Sequence, residues 1–208
     1  YFLMLFFMGI FHLSITPIFE GFDENAHYSS IREIAFSGSI PLKGRSYIDQ
    51  YVESYTGPEI FSSGAPPYDE GMNYQKFFSN EVLVSNYVEK YRKEAAATFF
   101  TPSSRINWES QHPPLYYALM APVLKLVSHE PLVTQVFILR LLSYILALVG
   151  VFLGMLAVVG GEFKGGSDAH KFTLLVGFIL YPYLLPMFFP EFARIGNDSL
   201  CLLLVGAI

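Results

Sequence analysis

The chain has 208 residues, 52% hydrophobic and 17% aromatic, and only 15% of them are charged. Soluble domains carry about 25% charged residues, so this composition, with a mean hydropathy of +0.39, points to a membrane protein. A net charge of −5 provides no basic surface for nucleic acid, and a lone cysteine, Cys201, excludes an intrachain disulfide within these residues.

Residues 1–19 carry no formally charged side chain and are mostly apolar, and they are expected to form a first transmembrane helix. A cleaved signal peptide is the rival reading, but neither a basic leading region nor a small-residue cleavage site is visible. The charges concentrate in the next segment: residues 20–112 hold 13 of the 18 acids and 8 of the 13 bases. This segment reads as a long extracytoplasmic loop with juxtamembrane helices. One helix is expected over Asn25–Ser37, where Ala26, Ile31, Ile34 and Ala35 fall near one face and Gly38 can stop it. A second is expected over Asn80–Ala97, with Val84, Tyr87, Val88 and Tyr91 at helical spacing. Between them Pro58, Gly64, Pro66, Pro67 and Gly71 punctuate a loop. Its aromatic content (Tyr47, Tyr51, Tyr55, Phe61, Tyr68, Tyr74) argues for order.

Residues 113–139 are expected to be an interfacial or re-entrant helical segment starting at Pro113–Pro114. Proline suits a helix's first turn, where its missing N–H has no partner anyway, and paired tyrosines suit the headgroup level. Residues 140–161 then supply a transmembrane helix, since about 20 apolar residues cross a bilayer's hydrocarbon core. A cytoplasmic turn is expected at 162–171, a further span at 172–190 and a second extracytoplasmic loop at 191–198. Residues 199–208 read as the start of another span. On this basis the chain is expected to be a portion of a longer polytopic protein. Counting crossings puts residues 191–198 on the same side as Asp23 and Glu24, although the charges of the 162–171 turn give the positive-inside rule almost nothing to act on.

The chemistry-bearing residues lie where the chain leaves the apolar runs. Asp23 and Glu24 follow the first run. They can be a helix N-cap and a first-turn acid, or one can be a general base that takes the proton of an attacking hydroxyl. His27 and Tyr28 lie four residues after the two acids and so become their helical neighbours. His27 can orient an acid, bind phosphate or join a metal site, although two acids and one histidine lack the spacing of a known metal cage. His112, before the double proline, and Arg105 upstream are candidate holders of a lipid phosphate; the plain alternative is a capping or headgroup-facing histidine. Arg194, Asn197 and Asp198 follow a proline-broken run and can be a helix cap for the residues from Ser199 on. Asn197–Asp198–Ser199 also fits a glycosylation pattern, but its closeness to a membrane run argues against use.

Taken in order, Asp23-Glu24-Asn25-Ala26-His27-Tyr28, His112-Pro113-Pro114-Leu115-Tyr116-Tyr117 and the stretch Arg194–Asp198 resemble the GT-C superfamily of membrane glycosyltransferases. The nearest branches look like the protein O-mannosyltransferases and the lipid A aminoarabinose transferases. The resemblance implies an all-α, polytopic transmembrane fold with amphipathic helices in a long extracytoplasmic loop. It also implies inverting transfer of a sugar from a polyprenyl-phosphate donor to a protein, lipid or glycan acceptor. By position Asp23 would be the catalytic base and Glu24 would position substrate. His27, Tyr28, Arg105, His112, Tyr116, Arg194, Asn197 and Asp198 would line the substrate site. His112 stands where the aminoarabinose branch has a lysine and His27 where it has an arginine, which keeps a donor but loses permanent charge. The resemblance implies a bacterial plasma membrane or endoplasmic reticulum location with the site on the extracytoplasmic face. It leaves a divalent cofactor (Mg or Mn) open. A transporter or flippase of lipid-linked glycans, whose acids bind without reacting, is the alternative.

Overall fold

The computed structural model describes residues 1–58, 74–162 and 167–208. The chain divides into two compact units, one made of Tyr1–Ile15 with Arg140–Ile208 and one of Thr16–Leu139. In chain order the elements are α1 (Phe2–Ile15), α2 (Glu24–Arg32), β1 (Tyr47–Asp49), α3 (Gln50–Glu53), α4 (Tyr74–Phe78), α5 (Glu81–Tyr87), β2 (Pro102–Ile106), α6 (Leu115–Leu126), α7 (Leu132–Glu162), α8 (Asp168–Leu184), α9 (Phe188–Phe192) and α10 (Asp198–Ala207).

In the Thr16–Leu139 unit, α2 is buried almost all round. Its polar side chains are therefore partnered, as buried polar groups must be. Tyr28 donates to Gln135 Oε1 at 2.7 Å, and Asn107 Nδ2 donates to the Ala26 carbonyl and to Ser30 Oγ, each at 3.0 Å. Arg32 is fully enclosed. It bonds Asp49 through Nε and donates to the carbonyls of Ala97 (2.9 Å) and Phe99 (2.8 Å). Asp49 also caps α3 by accepting from the Tyr51 N–H at 3.0 Å. One guanidinium thus ties α2, β1 and the 97–99 segment together. The expected Asn25–Ser37 helix is present, starting at Glu24, loosening into a π-turn over Glu33–Ser37 and ending at Gly38, whose φ of 73° is the left-handed stop the sequence implied.

The Asn80–Ala97 expectation is shortened. Asn80 caps α5 through its side chain, but the helix widens into a π-turn at Val88–Lys93 and stops there. The fold is mostly helical, and one small pair of strands adds to the all-α expectation. β1 and β2 pair antiparallel, Tyr47 opposite Ile106 and Asp49 opposite Pro102, with an irregularity between. Three- and five-residue strands are too short for a period-2 pattern to stand out. The punctuating residues Gly64, Pro66, Pro67 and Gly71, with Phe61 and Tyr68, lie outside the described residues.

The segment expected over 113–139 is two things. α6 is a partly buried helix with Tyr116, Tyr117, Met120, Ala121 and Leu124 turned into its unit. From Leu132 the chain is already α7, eight residues before the expected start. α6 has ended at Leu126, and Pro131 directly precedes the new helix.

α7, whose residues from Arg140 on belong to the other unit, holds a 26-residue stretch, Leu132–Ala157, of mean hydropathy 2.5, which exceeds the length needed to cross a membrane. Among the described residues it is the one helix long and apolar enough to do so. The other expected spans are shorter. α1 stops at Ile15 rather than 19, because a residue before proline, here Thr16 before Pro17, is pushed out of helical backbone. The 172–190 run breaks after Leu184 at an extended Leu185 and Pro186, then restarts as α9. α1 turns Leu5, Gly9 and Leu13 inward and leaves Leu3, Phe7 and Phe11 exposed, an outward apolar face suited to hydrocarbon rather than water. Tyr144 of α7 lies on Gly9, where a Cβ would meet its ring at 2.0 Å, and donates to the Leu5 carbonyl at 2.6 Å. Arg140 Nη1 reaches the Leu13 carbonyl at 3.3 Å.

Candidate functional site

The site is built around a short 3-10 turn, Trp108–Gln111, which follows β2. Asn107 caps this turn by accepting from the Glu109 N–H, and its amide group is anchored on α2. The turn is therefore fixed against the helix that carries the first acidic motif.

Asp23 stands before α2 in left-handed backbone, φ 53° and ψ 14°. Such a conformation is uncommon for a residue with a side chain, though aspartate tolerates it better than most. Its main-chain carbonyl accepts from the N–H groups of Ala26 and His27, both at 2.9 Å, but its side chain makes no capping bond. Instead Asp23 Oδ1 accepts from Trp108 Nε1 at 2.7 Å, across 85 residues of sequence, and the residue is exposed. The capping explanation of this carboxylate therefore fails. The guanidinium of Arg105 lies over the Trp108 ring, 4.7 Å from its centroid, within cation–π range.

Glu24 behaves differently. It is fully buried and its Oε2 accepts from the N–H of Phe19 at 3.0 Å, where Phe19 itself has a φ of 62°. The adjacent acids diverge, and only Asp23 is open to a ligand. Tyr28, an expected substrate contact, is likewise fully enclosed, and burial pushes its hydroxyl pKa up to about 12 against the lowering effect of Arg32. Tyr116 is buried too. Neither tyrosine is placed to touch substrate, because α2 and α6 bury these faces in the core of their unit.

At the other end of the turn, Glu109 is buried, and its Oε2 lies 3.0 Å from His112 Nε2 and 3.6 Å from His27 Nε2. His27 Nδ1 lies 3.0 Å from the Tyr117 hydroxyl, which also approaches the Glu109 carbonyl at 3.3 Å. The His112 side chain is 37% exposed. Both imidazoles converge on one carboxylate oxygen, and among the described residues no set of three or more His, Cys, Asp or Glu side chains is placed to hold a metal ion.

Trp108 and Glu109 were not singled out in the sequence, and Tyr117 was read only as part of the His112–Tyr117 motif, without a site role. Trp108 is the chain's single tryptophan and Glu109 sits three residues before His112, so the stretch Asn107–His112 held the signal.

Arg194, Asn197 and Asp198 belong to the other unit and form a cluster of their own. Arg194 is buried and its Nη2 is paired with Glu191 and, at 3.2 Å, with Asp198. Burial, reinforced by a hydrogen bond with Asp198, holds the Glu191 carboxyl above the usual range, while Arg194 opposes this. Asn197 stands at the N-cap position of α10 without a side-chain cap. Ser199 is fully buried, so the hydroxyl of the glycosylation pattern is enclosed.

Residues 6–164 match a family model described as "Predicted membrane protein (DUF2142)". The chain belongs to this family. The match takes in α1 from residue 6 on, the whole Thr16–Leu139 unit and all of α7, so every residue gathered on the Trp108–Gln111 turn lies inside it. Arg194, Asn197 and Asp198 lie beyond it. No curated protein matches the chain, and no solved structure matches it.

Proposed function

We propose that this protein is a polytopic membrane glycosyltransferase that moves a sugar from a polyprenyl-phosphate donor to an acceptor hydroxyl on the extracytoplasmic face. The observation that carries the reading is the Trp108–Gln111 turn, which grips two distant motifs at once. Trp108 holds the exposed Asp23 carboxylate and Glu109 holds the half-exposed His112. A carboxylate with no capping duty and a donor-bearing imidazole, both held by one short turn, are the groups that an inverting transfer between a hydroxyl and a phosphate-linked sugar requires.

In this mechanism Asp23 takes the proton of the acceptor hydroxyl. The acceptor oxygen attacks the anomeric carbon from the side opposite the phosphate, the new carbon–oxygen bond forms, and the old one breaks with its electron pair leaving on the lipid phosphate. His112 donates to a phosphate oxygen and stabilises the charge that gathers there. Arg105, spread over Trp108, adds a permanent positive charge at the ring that holds Asp23.

The test uses full-length protein in lipid, labelled polyprenyl-phosphate sugars and a panel of acceptors, with release of polyprenyl phosphate as the readout. Asp23→Asn should keep donor binding and lower kcat by about 10²–10⁴-fold, the contribution of a positioned general base. Equal release by both proteins removes Asp23 from the chemistry. Bound donor that is carried across the bilayer and never consumed makes the protein a transporter of lipid-linked glycans instead.

A further inference from the structure

The two histidines that share Glu109 are not equivalent. His27 is enclosed and both its ring nitrogens are engaged, Nδ1 by the Tyr117 hydroxyl and Nε2 by Glu109. His112 presents Nε2 to Glu109 at 3.0 Å and keeps 37% of its side chain exposed. Its Nδ1 has no partner among the described residues.

The main chain around His112 is held from both sides. Its N–H donates to the Glu109 carbonyl at 3.1 Å, and its φ of −77° and ψ of 152° are the extended values that a following proline imposes. With the backbone fixed, the remaining freedom of the residue is the rotation of its ring. A buried carboxylate beside one nitrogen ends that freedom. The carboxylate must be partnered to be tolerated where it is, and it accepts but cannot donate when ionised. The proton therefore belongs on Nε2, and Nδ1 becomes the atom that meets a ligand. A carboxylate partner at one nitrogen fixes an imidazole's tautomer and aim in the same way at metal sites and in catalytic triads.

We infer that Glu109 is a positioning residue: it holds His112 with Nε2–H turned inward, so that Nδ1–H of the protonated ring is the donor to a phosphate oxygen of the ligand. The phosphate rests on the transferase reading given above; the orientation of His112 does not. Charge-assisted bonds of this kind are short and strong relative to neutral ones. Loss of the aim should therefore appear as weakened ligand binding rather than as unfolding.

The experiment uses the full-length protein in lipid nanodiscs, with polyprenyl phosphate and inorganic phosphate as probes and with E109Q, E109D, H112A and E109Q/H112A. E109Q is expected to weaken polyprenyl phosphate binding about tenfold, the scale of one hydrogen bond to a charged group, and E109D to recover part of it. In the H112A background the same E109Q change should cost less than about twofold, because coupled residues are not additive. An equal loss in both backgrounds makes Glu109 a structural residue and overturns the inference. Nitrogen-15 spectra of histidine-labelled protein read the orientation without any ligand. In spectra taken at a pH where the ring is neutral, its proton is expected on Nε2, and a neutral ring with its proton on Nδ1 overturns the inference. If wild type holds the Nε2–H form yet binds neither probe, the phosphate assignment and the transferase reading fall together.

Discussion

Among single residues, the two adjacent acids show how little a neighbour in sequence shares with its neighbour in space. Asp23 and Glu24 differ by one position on the same chain, but one is exposed and tied to Trp108 while the other is buried beneath Phe19. The indole N–H is the side-chain bond that aims the Asp23 carboxylate. Trp108→Phe keeps an aromatic ring and removes that bond, and it should lower kcat with little change in KM, by about tenfold; unchanged turnover would show that Asp23 needs no aiming. Glu33 gives a prediction for stability. Burial raises its carboxyl above its ordinary value of 4.5, against the lowering effect of the bond from Ser46. A raised folded-state value means that the folded protein binds the proton more tightly than the unfolded chain. Stability from this group is then fully present below the ordinary value and is lost as pH rises through the raised one. Thermal unfolding in detergent should show that decline, and Glu33→Gln should flatten it.

Elements are held together by a few close contacts. Arg32 and Asp49 are a fully buried pair, and breaking such a pair leaves an uncompensated charge in the interior. Asp49→Ala should therefore destabilise the Thr16–Leu139 unit by about 3–5 kcal/mol, visible as a large drop in the unfolding midpoint. It also strips the cap from α3. In the other unit α7 and α10 approach at backbone distance: a Cβ on Gly206 would fall 2.1 Å from the Gly150 carbonyl oxygen. Small residues permit such approaches between helices in membranes, where van der Waals packing does much of the work. Gly206→Leu should push these helices apart and lower stability by about 1–3 kcal/mol, whereas the same change at Gly177, with nothing within 4 Å of the added Cβ, should be tolerated. The π-turns at Glu33–Ser37 and Val88–Lys93 explain why the helical spacing read from the sequence drifted there: one residue beyond the α repeat per turn shifts which side chains face inward.

For the whole molecule, membership of a predicted membrane protein family and a 26-residue apolar stretch in α7 fit the apolar, sparsely charged composition. The proposed placement of the loop outside the cytoplasm can be checked with the chain's own lone cysteine removed. In a Cys201→Ala background, Ser104→Cys lies on the exposed face of β2 and should react with a membrane-impermeant maleimide added to intact cells. Protection until the membrane is opened would reverse the topology and put the site on the cytoplasmic side.

Composition and the apolar runs were enough to determine that this chain belongs in a membrane, because hydrocarbon imposes a length and an absence of charge that can be counted. The helix after the first acidic motif was readable for a similar local reason: its apolar spacing and its terminal glycine are properties of neighbouring residues. Membrane runs were placed less well at their ends, since Pro17 and Pro186 break helices that hydropathy alone would continue, and α7 starts just after Pro131 rather than at Arg140. The short β1–β2 pair was invisible, as its bonds join residues more than fifty positions apart. Site residues divided along the same line. Asp23 and His112 could be named from motif and position, yet nothing local said that Glu24, Tyr28 and Tyr116 would be enclosed, or that Trp108, Glu109 and Tyr117 would hold what remained open. Burial and aim are set by which distant segments pack against a residue, and that choice is made only when the chain has folded.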